Sequence, residues 1–131
     1  MQHYDPEQPP NPEAWLALDE SERIRLVERY HRQAGFELPN ARLHATIHAV
    51  IENQLARGDP AAAPRALQRL RREGLTRHEA LHAIGSVLAQ HICNVLQPGE
   101  VTGDAQARYA ADLEALTADL WRQMFTEDDN A

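Results

Sequence analysis

Apolar positions in this chain recur at intervals of three and four. Leu43, Ile47, Val50 and Ile51 form one such stripe, Leu81, Ile84, Leu88, Ile92 and Val95 a second, and Tyr109, Leu113, Leu116, Leu120 and Met124 a narrow third. That is the period of a helix with one buried face, and no stretch alternates as a half-buried strand would. Start and stop signals bracket the stripes. Asn11-Pro12 opens a short helix to about Leu18, and Asp19 with Glu22 forms a capping box before Ile24, Val27 and Tyr30, in a run that Gly35 ends. Asn40 caps a helix over 41–57 that stops at Gly58, and Asp59-Pro60 opens a short Arg-rich one in which Pro64 weakens the first turn and Gly74 ends the run. Thr76 with Glu79 is another capping box and opens a helix to about Leu96; after a turn at Gln97–Glu100, Asp104 caps a last helix to about Phe125. The pattern predicts an all-α fold, a compact bundle of five to six helices with no sheet. Residues 1–11 are expected as an extended arm with Trp15 as its anchor, residues 12–125 as a single helical domain and residues 126–131 as a frayed acidic tail.

Composition narrows the function more than the fold. A chain of 131 residues has length for one hydrophobic core. Its net charge of -7 is unevenly spread: -4 over residues 1–40, +3 over 41–97 and -6 over 98–131. All 13 basic residues are arginine. The single cysteine, Cys93, allows no intrachain disulfide and fits a reducing compartment. The first residues have neither a basic start nor an apolar run, and no segment reaches the roughly 20 apolar residues of a membrane span, so a cytoplasmic protein with no membrane partner is expected.

Chemistry concentrates in the basic middle. His44 and His48, like His78 and His82, stand four apart on predicted helices, so each couple can offer two imidazoles to one ion about 6 Å apart along the axis. If the helices over 41–57, 60–73 and 77–96 run down, up and down, the first and third are parallel, with both couples at their N-terminal ends. The small residues Gly85 and Ala89 then allow close approach. A divalent transition metal is the expected cofactor, zinc first and iron or nickel next, held by His44, His48, His78 and His82, with Glu52 and Glu79 as supporting carboxylates. The competing interpretation is a set of helix-flank histidines satisfied by carbonyls or carboxylates.

Other patterns are weaker. His78-Glu79-x-x-His82 matches the zincin signature and Gly85 the metzincin glycine, but Leu88 stands where a third ligand is required and His91 comes three residues late. A ferritin-like di-iron site needs a second Glu-x-x-His, which the chain lacks. Arg65, Arg69, Arg71, Arg72 and Arg77 cluster in sequence. Arg69 and Arg72 are candidate anion contacts, but the acidic flanks offer these arginines partners within the chain and the overall charge opposes nucleic-acid binding. His31 sits at a helix C-terminus, where a protonated imidazole is favoured, and its distance from the couples is not fixed by spacing. Cys93 lies about 16 Å along the helix from His82 and is expected as a core or semi-buried thiol. From a different functional class, a metal-free interaction module, homodimeric through residues 104–125, fits the acidic last helix.

Several strings resemble an uncharacterised family of small bacterial all-helical proteins with no established activity: Leu38-Pro39-Asn40, Leu43-His44-x-x-Ile47-His48, Glu52-Asn53-Gln54 and Arg77-His78-Glu79-Ala80-x-His82-Ala83-Ile84-Gly85-Ser86. The resemblance covers roughly residues 4–97. It implies a bacterial, cytoplasmic origin and carries over no catalytic residue.

Overall fold

The structure, a computed structural model, describes residues 3–35, 40–96 and 104–129. Leu38-Pro39, the expected turn at Gln97–Glu100 and the last two residues lie outside them. Among the described residues seven helices form: α1 (Pro12–Ala17), α2 (Glu20–Gln33), α3 (Ala41–Arg57), α4 (Ala62–Arg72), α5 (Arg77–Leu96), α6 (Ala105–Ala115) and α7 (Ala118–Asp129). Among the described residues there is no strand. The caps explain most of the boundaries. Asn11, Asp19, Asn40 and Asp104 each accept a backbone N–H of the first turn, and Thr76 and Glu79 bond reciprocally at the start of α5. Gly58 closes α3 in the left-handed conformation, at φ 67°. Pro64 is tolerated because it falls in the first turn of α4, where its missing N–H has no helical partner to lose.

The helix count corrects the expectation of five to six. The stripe from Tyr109 to Met124 is broken at Leu116, whose extended backbone (φ -71°, ψ 128°) ends α6, and Thr117 Oγ1 then accepts Leu120 N–H to start α7. Neither Gly nor Pro marks this break. The end of α4 holds it from outside. Arg69 donates to the carbonyls of Leu113 and Leu116 at 2.6 and 3.0 Å, and Glu73 accepts Ala118 N–H at 2.7 Å. Backbone groups orphaned by the break are therefore satisfied by two side chains four residues apart. Tyr109, Leu113 and Leu116 are spent on the core, while Leu120 and Met124 are exposed.

Two apolar clusters form. The larger joins Ile51, the alanine face of α4, Leu70, Leu81, Ile84, Leu113 and Leu116; the smaller joins Tyr4, Trp15, Ile24, Val27, Ala45 and Ala49. α3 serves both, packing on α2 with one side and on α5 with another. Contacts between α3 and α5 correct the parallel arrangement expected from the short connections. Glu52 meets Arg77, His48 lies beside His78 and His44 faces His82, so positions rise along one helix as they fall along the other. The connections before and after α4 therefore cannot both be full reversals. A Cβ built on Gly85 would stand 3.3 Å from Ile47 Cγ2, tighter than a relaxed contact, so the glycine permits this approach. Cys93 is exposed, contrary to expectation, because the last turns of α5 run past the core.

Candidate metal centre

Three helices carry histidines to one point. His31 comes from the end of α2, His44 and His48 from one flank of α3, and His78 and His82 from the first two turns of α5. One ring nitrogen from each of His31, His48, His78 and His82 falls in a group whose members all lie within 4.8 Å of one another. His44 stands beside that group, its ring centroid 4.8 Å from those of both His31 and His82. The i,i+4 couple on α5 has centroids 4.3 Å apart and that on α3 6.2 Å. The structure thus brings together all four histidines of the spaced couples and adds His31, which replaces His44 in the tightest set.

Hydrogen bonds fix which nitrogen of two rings is available. His31 Nδ1 lies 2.9 Å from the carbonyl of Val27; a carbonyl can only accept, so Nδ1 carries the proton and Nε2 the lone pair. Tyr4 has one hydroxyl proton and donates it to Glu52. Its oxygen therefore accepts from His48 Nε2–H at 2.7 Å, which leaves the His48 lone pair on Nδ1. His48 Nδ1, His44 Nε2 and His82 Nε2 are buried atoms with no hydrogen-bond partner among the described residues. Leaving a buried polar nitrogen this way is costly.

All five imidazoles are held neutral. Burial lowers the pKa of His31, and burial together with the neighbouring imidazoles lowers those of His44, to about 4, His82, to about 3, His48, well below the usual value, and His78. At 4% exposure, burial lowers the His31 pKa against its hydrogen bond to the Val27 carbonyl, which raises it. A cluster of neutral imidazoles needs to shed no protons to ligate at neutral pH.

Behind His48 stands a buried ion pair. Arg77 grips Glu52 with two bonds of 2.8 Å, the pair being 4% and 1% exposed, and Arg77 also donates to the carbonyl of Pro6. The segment around Tyr4 lies over this end of the site. Tyr4 is buried against Trp15, Tyr30 and His48, and Glu7 accepts the backbone N–H of His78 at 3.1 Å. Burial first, then the Glu52 charge, push the Tyr4 pKa well up, so the hydroxyl keeps its proton. Glu52 thus orients an imidazole through Tyr4. Glu79 does not face the cluster: it is exposed and occupied as the capping partner of Thr76. His91 stacks on Tyr109, at 5.0 Å, away from the other histidines. A zincin arrangement, with a glutamate base at the ion and a third ligand beyond the glycine, is not assembled.

Of the candidate anion contacts, Arg69 is engaged with α6 and Arg72 is exposed, while Arg65 pairs with Glu114 of the acidic C-terminal region. Tyr4, His31 and Arg77 are the site residues that spacing alone does not reveal. Arg77 precedes the first histidine of its couple, and its neighbours in sequence place it among solvent-facing arginines.

No protein-family model, curated protein or solved structure matches this chain. Among the described residues no helix is long and apolar enough to cross a membrane.

Proposed function

We propose that this protein binds one divalent transition metal ion in the histidine cluster, with His31, His48, His78 and His82 as ligands and His44 as a neighbouring fifth imidazole. The observation that carries this reading is the convergence of four imidazole nitrogens, from three separate helices, within 4.8 Å. An all-nitrogen, borderline-soft donor set suits zinc first, then iron or nickel, and disfavours calcium and magnesium, which require oxygen. With metal-to-nitrogen distances of about 2.0–2.1 Å, a closed tetrahedron has edges of about 3.3 Å. Four nitrogens within 4.8 Å of one another need only a small contraction to reach such a shell. The chain of Arg77, Glu52, Tyr4 and His48 resembles the outer-shell support that fixes a metal-binding histidine.

The test is elemental analysis of untagged protein purified without added metal, beside the His48→Ala/His82→Ala double variant. Near-stoichiometric zinc, iron or nickel in the parent and none in the variant is expected. A parent that is metal-free, resists reconstitution and keeps its melting temperature in chelator overturns the reading.

A further inference from the structure

The cluster is closed on one side and opens on the other. The Tyr4 segment and the Arg77–Glu52 pair cover His48 and the start of α5, whereas a cavity of about 280 Å³ adjoins the opposite face and is lined by His44, His48 and His82 together with Ile47, Leu81, Gly85, Ala89 and Trp121. Small-molecule sites are concave, mostly apolar and carry a few convergent polar groups, and this volume sits at the small end of their range. Ser86 also reaches the wall, but its hydroxyl proton is committed to the carbonyl of Ala83 at 2.7 Å. Polar recognition is thus concentrated at the imidazole end.

Charge then selects the ligand. Imidazole ligands are neutral, so a divalent ion held by them keeps its double positive charge. Glu52 is already bound by Arg77 and separated from the ligands by Tyr4, Glu7 accepts the backbone N–H of His78 on the covered side, Glu79 is engaged at the helix cap, and no acidic side chain lines the cavity. A partly desolvated cation held only by neutral ligands attracts an anionic donor. Resting on the metal reading above, we infer that the cavity binds a small organic monoanion, a carboxylate with a compact apolar body, whose head completes the metal shell while the body packs between Ile47, Leu81, Ala89 and Trp121. A polyanion such as phosphate has no apolar part to fill this space.

The experiment uses the full chain loaded with Co2+ as a spectroscopic probe, titrated separately with benzoate, acetate and inorganic phosphate, and repeated on Ala89→Phe, which fills the cavity without replacing a histidine. Benzoate should change the visible spectrum saturably and bind at least about tenfold tighter than acetate, since burying a phenyl ring exceeds that factor. Ala89→Phe should keep its Co2+ spectrum, lose benzoate binding by tenfold or more and retain acetate. Should Ala89→Phe fail to fold, the ranking of benzoate above acetate and phosphate on the parent protein decides alone. Failure to take up Co2+ overturns the metal reading and this inference with it. Uptake of Co2+ with benzoate no tighter than acetate, or with benzoate binding unaffected in folded Ala89→Phe, overturns this inference and leaves the metal reading standing.

Discussion

Replacing Glu52 by glutamine isolates the charge of the ion pair beneath the metal centre. The side chain keeps its shape and can still accept the Tyr4 hydroxyl proton, so the orientation of His48 survives. Arg77, 4% exposed, loses its counter-ion and one of two hydrogen bonds to residue 52, while the Pro6 carbonyl and the Tyr4 oxygen remain as neutral acceptors. Removing one member of a buried pair costs about 3–5 kcal/mol because the other charge stays buried; with one bond conserved, the lower end, about 3 kcal/mol, is expected here. At an unfolding entropy of about 2.1 cal/mol/K per residue, a chain of 131 residues loses about 10 °C in melting temperature for that change. The assay is thermal denaturation followed by circular dichroism in excess chelator, so that bound metal does not mask the loss. Glu52→Leu combined with Arg77→Met should melt above Glu52→Leu alone, because the second change removes the stranded charge. A folded Glu52→Gln protein melting within about 3 °C of the parent would refute the account of this pair.

Three further predictions probe other links. Tyr4→Phe removes the acceptor that holds the proton on His48 Nε2, so metal affinity measured by chelator competition should fall about 10-fold or more, while the apo melting temperature drops less than in Glu52→Gln; unchanged affinity would show that the tyrosine does not orient the ligand. Acidification should destabilise the apo protein. The five histidines bind protons in the unfolded state near pH 6.5 but resist them when folded, His44 to about 4 and His82 to about 3. Stability present above about pH 6.5 is therefore lost as pH falls through that window, and urea midpoints flat between pH 7 and 4.5 would contradict it. Arg69→Ala should cost about 1–2 kcal/mol by removing the side-chain donor of the Leu116 carbonyl and one of two donors of the Leu113 carbonyl, with metal stoichiometry unchanged; loss of metal would place Arg69 in the site rather than at the α6–α7 break.

The sequence by itself determined the helical class, nearly every helix boundary and the two histidine couples. These are local properties: a capping side chain reaches three residues ahead, and an i,i+4 pair shares a face whatever surrounds it. The same locality explains what it left open. The break at Leu116 is held by Arg69 and Glu73, more than forty residues earlier, so the stripe alone reads as one continuous helix. His31 enters the cluster because α2 packs on α3, and no spacing within either helix encodes that contact. The opposed sense of α3 and α5 follows from how the α4 connections turn, which short loops leave undetermined. Arg77 reads as one more surface arginine until tertiary packing buries it on Glu52. Tertiary structure decided the set of imidazoles, the side on which they are covered and the side on which they open, because each depends on which helices share an interface rather than on what any one helix presents.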